Sequence, residues 1–507
     1  VATAGIVSAT TLYGDGSNLT GIAMSIAPIS YNPDVGDTGV LVDTGIGITF
    51  TERIKAGSGN ITLRVAGAAG TVVENFSVGS SVTINNNNIS FTPTSNLSSM
   101  ETYYVNIPSS AITNTAGDTA LAATNWTFQG EPGDNLFAVG NSNEYGGGIA
   151  DPGVGMLGQN NTTSYSSPVQ IPGEWVDGEF KKSIHINSAG AIKEDGGLYT
   201  WGAGSYGSYG ILGHSNTTDY SSPKQVGSGT DWNAVCMLAT FSMATKTDGT
   251  LWAWGYNSHG MLGQNNRTNY SSPKQIPGTT WSQPFGTHRS AGCVKTDGTL
   301  WTWGNAQDTG LPGQNQPNNL FQSSPVQVPG TTWSKVKSGN YHVSAIKTDG
   351  TLWGWGRNSY GSIGDGKTNS DSPGDKYSSP VQVGSDTTWS VISPGWYNTA
   401  AVKTDGTLWA WGSNGNGELG QNSRTNYSSP VQIPGTTWSK VTMSRYVWAT
   451  KTDGTVWTWG HNDSGQLGQN NKVKYSSPVQ VPATNWGWVH SNSYSYGTSL
   501  MSFKQSI

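Results

Sequence analysis

Residues 245–255 read TKTDGTLWAWG, and variants of this stretch recur along most of the chain. An Asp-Gly step between two alternating apolar runs is a strong short-range signal for a β-hairpin. The second strand of the hairpin ends in a glycine at seven places: Leu136–Gly140, Leu198–Gly202, Leu251–Gly255, Leu300–Gly304, Leu352–Gly356, Leu408–Gly412 and Val456–Gly460. Successive terminal glycines lie 48 to 62 residues apart. A self-similar unit of about 50 residues with strands and turns predicts a β-propeller.

The rest of each unit supports the same fold. It continues as N-x-x-G-x-L-G-Q-N-N and then Y-S-S-P-V-Q, whose proline cannot donate to a strand ladder and predicts an outer edge strand. Two sets of tryptophans recur, and we expect both to pack between blades, where each buried ring contributes roughly 5 kcal/mol before entropy. They are Trp175, Trp232, Trp281, Trp333, Trp389, Trp438 and Trp486, and Trp201, Trp254, Trp303, Trp355, Trp411 and Trp459.

The two ends of the repeat region complement each other. The first unit begins with the strand Asp134–Gly140 and lacks the strand before it, whereas Ser499–Lys504 near the end of the chain resembles that missing strand. We therefore expect an all-β, seven-bladed propeller over residues 131–507, with one blade completed from both termini. Such circular closure removes the unpaired edges of an open array.

Composition excludes several classes of function. Charged residues are 11% of the chain and the net charge is −5, so no basic footprint for nucleic acid or anionic membrane is present. No run of about 18 apolar residues predicts a membrane-spanning helix. Cys236 and Cys293 occupy different places in their repeats, which favours two buried free thiols over a disulfide.

Two further segments precede the repeats. Residues 1–23 contain a short alternating run and a Gly-Asp-Gly turn, too little to bury a core alone, so they predict an anchoring or assembly segment. Residues 24–130 alternate short apolar runs with Asn, Gly, Ser and Pro clusters. That pattern predicts a β-sandwich.

The sequence contains no motif for catalysis or for a cofactor. None of the seven histidines has metal-ligand spacing, and no nucleophile elbow, phosphate loop or Cys/His cluster occurs. We expect residues that are repeated in every blade to be structural, because a catalytic site is a single arrangement of side chains at one place in the fold. We expect no enzyme activity, no cofactor and no metal.

Positions that vary while their neighbours repeat are the candidates for binding. The three positions that lie nine, eight and seven residues before each Asp-Gly aspartate hold different residues in different blades. Because they precede an inward strand, they should surround one rim of the disc. The candidate rim residues are Phe241, His288, Arg289, Tyr341, His342, Trp396, Tyr397, Arg445, Tyr446 and Tyr494. Packing at the strand entry is the alternative explanation of these residues. Inserted loops at 144–154, 307–322 and 367–376 are a second candidate surface.

Three parts of the chain resemble known families. The Trp-Gly strand end, Gly-x-Leu-Gly loop and Pro-Val step resemble the repeat family named after the regulator of chromosome condensation, in its bacterial and phage form, which implies seven blades. Residues 24–130 resemble a bacterial immunoglobulin-like domain, carried by Gly47–Glu52 and Thr102–Val105, which implies a spacer or adhesion module. The stretch GIVSATTLYGDGSNLTGIA resembles units in structural and tail-fibre proteins of marine, especially cyanobacterial, phages.

Some functions of the repeat family are not expected here. Chromatin and small-GTPase binding by eukaryotic relatives depends on a basic surface that this chain lacks. The plant ultraviolet-B photoreceptor of the family uses Gly-Trp-Arg-His-Thr, whereas Gly395–Thr399 here reads GWYNT and lacks both Arg and His. We therefore do not expect photoreception.

The sequence thus predicts a phage virion protein of a tail or surface fibre, with a propeller that binds a protein or glycan on the host cell. Other virion proteins would bind the N-terminal segment, and a homo-oligomer, first of all a trimer, would stand on the virion surface. A capsid or tail decoration protein with assembly contacts only is one alternative. A secreted bacterial adhesin or protein-binding module at the cell surface is another. Neither nucleic acid nor membrane insertion is expected.

Overall fold

The chain divides into two compact units, Val1–Pro132 together with Ile507, and Gly133–Ser506. The computed structural model describes residues 26–36, 45–65, 67, 69–94, 101–115, 121–129, 134–140, 155–176, 178–185, 188–204, 208–287, 289–305, 313–315, 321–368, 376–482, 486–491 and 498–503. The side chains of residues 134, 135 and 486 onward are outside this description. The predicted anchoring segment 1–23 also lies outside the described residues.

The first unit is built from short antiparallel strands: β1 (Pro28–Asn32), β2 (Ile46–Phe50), β3 (Ile54–Ala56), β4 (Asn60–Val65), β5 (Val72–Ser77), β6 (Thr83–Asn85), β7 (Asn88–Phe91), β8 (Thr102–Ile107), β9 (Ile112–Asn114) and β10 (Thr124–Gln129). One four-stranded sheet has the order β1-β2-β7-β6 and a second has the order β10-β8-β4-β5. Strands β3 and β9 form a two-stranded sheet.

The two larger sheets enclose one apolar core. Phe76 of β5 and Phe91 of β7 have ring centroids 4.5 Å apart, and Tyr31 of β1 lies 5.0 Å from Trp126 of β10, so both ring pairs join the two sheets. Alternation along β8, buried at every second residue, matches the predicted sandwich pattern. Strands β1, β3 and β9 do not coincide with an apolar run of the sequence. One such run, Val40–Val42, lies outside the described residues.

The second unit is also all-β, and its strands have these bounds: β11 (Asp134–Gly140), β12 (Tyr165–Trp175), β13 (Lys182–His185), β14 (Ser188–Ile192), β15 (Leu198–Gly202), β16 (Tyr220–Gln225), β17 (Trp232–Met237), β18 (Phe241–Lys246), β19 (Leu251–Gly255), β20 (Tyr270–Ile276), β21 (Trp281–Gly286), β22 (Ser290–Lys295), β23 (Leu300–Asn305), β24 (Phe321–Val328), β25 (Trp333–Ser338), β26 (His342–Lys347), β27 (Leu352–Arg357), β28 (Lys376–Gln382), β29 (Trp389–Pro394), β30 (Asn398–Lys403), β31 (Leu408–Gly412), β32 (Tyr427–Ile433), β33 (Trp438–Met443), β34 (Tyr446–Lys451), β35 (Val456–Gly460), β36 (Tyr475–Gln480), β37 (Trp486–Ser491) and β38 (Thr498–Phe503). A 3₁₀ turn covers Ser359–Gly361.

The described strands of this unit form four-stranded antiparallel sheets, each called a blade below. Blade 1 has the order β12-β11-β38-β37, and the others follow chain order. They are blade 2 (β13–β16), blade 3 (β17–β20), blade 4 (β21–β24), blade 5 (β25–β28), blade 6 (β29–β32) and blade 7 (β33–β36). The first strands of adjacent blades lie side by side, and β37 lies beside both β33 and β13.

Successive turns of an antiparallel meander alternate between its two ends, which gives the unit two different faces. We call one the hairpin face, because it carries the Asp-Gly turns between second and third strands. We call the other the loop face, because it carries the turns between first and second strands and the long segments between third and fourth strands. The candidate rim residues that the structure describes lie at the loop face.

One set of tryptophans connects neighbouring blades. For five of the six members of this set, the indole Nε1 donates a hydrogen bond of 2.6 to 3.0 Å to a carbonyl in the long segment of the preceding blade: Trp201 to Met156, Trp254 to Ile211, Trp303 to Met261, Trp411 to Ser362 and Trp459 to Glu418. These rings are fully buried. The predicted packing between blades is therefore confirmed for this set.

The other tryptophan set packs against lysine. In five blades the lysine of the Lys-Thr-Asp-Gly turn lies over two tryptophan rings, with Nζ 3.9 to 5.3 Å from each centroid. These lysines are Lys246, Lys295, Lys347, Lys403 and Lys451. Such cation–π contacts hold the charged group at the hairpin face while its stem covers apolar surface.

Candidate functional site

The candidate rim residues fall into three groups in the structure. Arg289 is exposed, and Tyr341, Trp396, Tyr397 and Arg445 are half-buried in the turns between first and second strands. Three others, Phe241, His342 and Tyr446, are fully buried. His288 and Tyr494 lie outside the described residues.

The burial of those three side chains fits the alternative explanation given for them, packing at the strand entry. Each is the first residue of a second strand and pairs with the terminal glycine of the third, as Phe241 does with Gly255. Since side chains alternate along a strand, this position points between blades. His342 Nε2 lies 2.8 Å from Thr399 Oγ1 of the next blade, and burial lowers the pKa of His342 to about 3.

Three of the remaining residues stack on one another. The rings of Tyr341 and Tyr397 are 5.0 Å apart with an interplanar angle of 20°, and those of Tyr397 and Trp396 are 6.1 Å apart at 17°. Tyr341 comes from blade 5 and the other two from blade 6. The stack therefore bridges two blades.

An arginine lies over each end of this stack. The guanidinium carbon of Arg445, from blade 7, is 3.3 Å from the ring centroid of Trp396, and that of Arg357 is 5.1 Å from the centroid of Tyr341. We call the five residues Arg357, Tyr341, Tyr397, Trp396 and Arg445 the aromatic ladder. It spans blades 5 to 7 on the loop face.

Backbone hydrogen bonds hold the turns of the ladder in place. Arg357 N donates to the Tyr341 carbonyl at 2.9 Å, which fixes the end of the third strand beside the turn. Asn340 N donates to the Gly395 carbonyl at 3.1 Å, which joins the turns of blades 5 and 6. The ring positions are thus set by strand ends rather than by free loops.

Tyr360 lies beside the ladder and was not predicted from the sequence. Its ring is 5.6 Å from that of Tyr397 in an edge-to-face arrangement, and 43% of the residue is exposed. Its backbone φ is 59°, a left-handed conformation that costs a non-glycine residue of order 1 kcal/mol. Arg357 was missed as well. Both positions vary between repeats, which is the signal that could have identified them.

A second aromatic cluster lies on the same face, in the long segments of blades 2 and 3 and at the start of β24 in blade 4. Tyr209 and Tyr256 have ring centroids 4.3 Å apart, His259 lies 5.3 Å from Phe321, and the Arg267 guanidinium is 4.7 Å from Phe321. This cluster was not predicted from the sequence. Phe321 belongs to the inserted loop 307–322, but the other members lie outside both the variable turns and the inserted loops.

Charged groups surround the Arg445 end of the ladder. Burial raises the pKa of Glu418, and the nearby Arg445 opposes that shift. Burial lowers the pKa of His461, whose Nε2 lies 2.9 Å from an Asp463 oxygen. Lys474 also pairs with Asp463 at 2.9 Å. Arg445 is therefore part of a local charge network, which compensates its charge.

Residues of the first strands of blades 2 to 7 line a cavity of about 120 Å³. Two residues of this lining, Glu179 and Lys337, form an ion pair of 2.6 Å. Burial raises the pKa of Cys236, which lines the cavity, to about 12, so this thiol is not a nucleophile at neutral pH. Both cysteines are free, in agreement with the sequence prediction.

The described ranges contain no group of three or more His, Cys, Asp or Glu side chains placed to hold a metal ion. Within the same ranges, no helix is long and apolar enough to cross a membrane. Parts of the inserted loops, including all of 144–154, lie outside those ranges.

Comparison with known families places both units. Residues 191–501 match the RCC1-like domain model, and residues 25–130 match the model of the bacterial Ig-like domain. The first match covers more than half of the chain, so this protein belongs to the RCC1-like domain family and carries an immunoglobulin-like domain before its β-propeller. Propellers of this family are mainly regulators or binding modules rather than enzymes.

Individual relatives agree with that assignment. The RCC1 domain-containing protein RUG3, mitochondrial, of Arabidopsis thaliana is 27% identical over 253 residues, 50% of this chain and 46% of RUG3. The ultraviolet-B receptor UVR8 of the same plant is 29% identical over 142 residues, 28% of this chain and 31% of UVR8. The chain thus spans less than half the length of these curated relatives.

Solved structures with the same fold include Prp20p from Saccharomyces cerevisiae and human WBSCR16. The Prp20p structure has a TM-score of 0.62 at 17% identity and covers 74% of this chain and 92% of its own. That of WBSCR16 has a TM-score of 0.60 at 17% identity and covers 74% of this chain and 100% of its own. At these identities the likeness concerns the fold alone.

Proposed function

We propose that this protein is a phage virion component, a tail or surface fibre protein whose propeller binds a receptor on the host cell. The observation that supports a binding role is the aromatic ladder on the loop face. Tyr, Trp and Arg are the residue types that dominate binding hot spots, and rings already stacked lose little conformational entropy when a ligand arrives. The structurally related Prp20p binds Gsp1p and histones, and yeast RCC1 binds Kap60, which fits a scaffold used for binding.

The proposal includes a closed ring of seven blades. Antiparallel pairing of β11 with β38, from Asn135 opposite Phe503 to Gly140 opposite Thr498, supports completion of blade 1 from both ends of the repeat region. Contacts between blades 7 and 1 point the same way, because Asn470 N donates to the Ser166 carbonyl at 3.2 Å. A closed ring holds the turns of the ladder at fixed spacing.

In this proposal the two parts before the propeller have mechanical roles. The immunoglobulin-like domain acts as a spacer, and residues 1–23 bind other virion proteins. A homo-oligomer, with three copies as the first expectation, would present several loop faces on the virion surface. Multivalent display would raise the avidity of a weak single site.

Two alternatives remain open. A capsid or tail decoration protein would use the loop face for assembly contacts, and limited proteolysis of virions would find that face protected. A secreted adhesin or protein-binding module of a bacterial cell surface would have a gene that encodes a secretion signal. Antibody labelling of virions and of bacterial surfaces separates these possibilities.

The test is saturable binding of the full chain to candidate host cells. A variant with Trp396→Ala, Tyr397→Ala and Arg445→Ala should lose binding while its circular dichroism is unchanged. A control with Thr348→Ala and Thr404→Ala alters exposed residues on the opposite hairpin face and should bind normally. Equal binding by both variants, or no binding by the folded chain to any host, would reject the receptor role.

A further inference from the structure

The rings of the aromatic ladder are partly covered by one another and by two arginines. Tyr341 has Tyr397 and Arg357 as stacking partners, Tyr397 has Tyr341 and Trp396, and Trp396 has Tyr397 and Arg445. The Tyr341 and Tyr397 rings are stacked on each other, and Arg445 lies over the Trp396 ring, so part of their faces is already occupied. The ladder therefore differs from an open platform for stacking.

This arrangement makes an aromatic surface electropositive. The edge of an aromatic ring carries partial positive charge and its face partial negative charge, so edges exposed together attract acceptors. The phenol hydroxyls of Tyr341 and Tyr360 can donate or accept, and the guanidinium of Arg357 can only donate. All of these groups favour an acceptor-rich, anionic ligand.

Arg357 is the cation best placed to meet such a ligand. Arg445 lies in the field of the buried Glu418, whereas no described carboxylate pairs with Arg357, which is half-buried over Tyr341. A guanidinium binds carboxylate or sulfate through two parallel hydrogen bonds. Arg357 is thus a positioned anion-binding group.

The kind of ligand follows from what else is exposed nearby. A stable protein interface needs a buried apolar core. Among the described residues of the second unit, the large apolar side chains that are well exposed are Val326, Tyr360 and Val473, from three different blades. Tyr360 alone of these touches the ladder. One exposed aromatic ring beside hydroxyls and a guanidinium matches a sugar ring with hydroxyl and acidic groups better than a protein surface.

We propose that the ladder and Tyr360 form a binding site for an acidic polysaccharide. Arg357 binds its carboxylate or sulfate group, the Tyr341 and Tyr360 hydroxyls bond to sugar hydroxyls, and the Tyr360 ring packs on one sugar. Arg445 and Trp396 position the stack from the far end. The inference rests on the proposed receptor role and names the class of receptor.

The strained backbone of Tyr360 provides a test that separates binding from folding. Replacing a left-handed tyrosine by glycine removes the strain, which offsets the greater flexibility of unfolded glycine and the lost contact with Tyr397, so Tyr360→Gly should leave the protein about as stable as the wild type. The same change removes the exposed ring and hydroxyl. We expect affinity for the polysaccharide to fall about 5-fold.

Titration calorimetry of the full chain would use four polymers: polygalacturonate, dextran sulfate, fully methyl-esterified pectin and poly-glutamate. We expect binding to polygalacturonate or dextran sulfate, which identifies the anionic group, and none to the neutral ester. Arg357→Gln should weaken binding about 10- to 100-fold. Arg267→Gln is the matched control, since Arg267 lies over a ring of the second cluster on the same face, and its affinity should stay within about 2-fold.

Several results would overturn the proposal. Equal losses for the two arginine variants would mean non-specific charge attraction, and binding of the methyl ester would mean that the anion is not recognised. Binding of poly-glutamate with the same dependence on Arg357 would assign the site to an acidic protein. If the chain binds host cells but neither acidic polysaccharide, the receptor role stands and this inference fails. If it binds neither cells nor polymers, both fail.

Discussion

Replacing Trp303 by phenylalanine tests how the blades are held together. Trp303 is fully buried in blade 4, and its Nε1 donates to the Met261 carbonyl in the long segment of blade 3 at 2.6 Å. The ring also packs edge-on against Trp281, with centroids 6.2 Å apart. Phenylalanine keeps one aromatic ring and removes the donor, so the change is directed at the bond between blades.

The expected cost has two parts. A buried carbonyl left without its donor costs about 1–3 kcal/mol. The smaller ring leaves about 40 Å² of apolar surface unburied, which adds about 1 kcal/mol. We therefore expect Trp303→Phe to lower the free energy of unfolding by about 2–4 kcal/mol.

Trp301→Phe is the matched control, two residues earlier in the same strand. Trp301 is half-buried, and its Nε1 donates to Thr299 Oγ1 within its own hairpin at 2.9 Å. Because this bond joins no second blade and lies near solvent, we expect a loss below about 1 kcal/mol.

Guanidinium unfolding followed by tryptophan fluorescence measures both variants. Every tryptophan except Trp126 belongs to the second unit, so the signal reports on the propeller. A lower transition midpoint for Trp303→Phe than for Trp301→Phe is the expected result. Equal midpoints would refute the view that indole hydrogen bonds between blades stabilise the propeller.

Two other predictions concern a buried histidine and a glycine. The pKa of His342 is about 3 when folded, below its value near 6.5 when unfolded, so protons bind the unfolded chain first and stability falls as pH drops below about 6.5. Between pH 6 and 4 the free energy of unfolding, measured with urea, should fall by about 1.4 kcal/mol per pH unit less in His342→Gln than in the wild type. Parallel plots of this free energy against pH for the two proteins would contradict the prediction. Gly350 and Gly384 both have positive φ, but only at Gly350 would an added Cβ overlap a backbone oxygen, that of Thr387. Thermal melts should therefore show that Gly350→Ala destabilises the protein by at least about 2 kcal/mol more than Gly384→Ala. Similar melting temperatures for the two alanine variants would rule out the clash.

Much of the fold could be predicted from the sequence because each blade of the propeller except blade 1 is formed by one continuous sequence repeat. Each blade carries its own hairpin turn, its own edge-strand proline and its own tryptophans, so the pattern needs no knowledge of distant contacts. The Asp-Gly turns show why: Asp248 accepts hydrogen bonds from Thr250 N and Thr250 Oγ1, two residues away. Interactions between residues so close in the chain can be recognised from a short sequence pattern.

The candidate site was predicted only in part. The sequence identified the variable turns of the loop face, but it could not distinguish exposed from buried positions within a turn. The register of the second strand makes this distinction. Tyr341 and Arg445, eight residues before their aspartates, reach solvent, and His342 and Tyr446, seven residues before, are buried. Side-chain alternation at the start of the second strand decides this difference.

The sequence alone determined the all-β class, the repeat and the set of variable turns, since these depend on residues close in the chain. The tertiary structure decided which of those residues act together. Tyr341 and Tyr397 stack although they belong to different repeats, and they are joined by Arg357, at the end of the third strand of blade 5, and by Tyr360, in the long segment that follows it. Their spacing depends on how one blade packs against the next, which is set by buried contacts between distant residues and not by any local pattern.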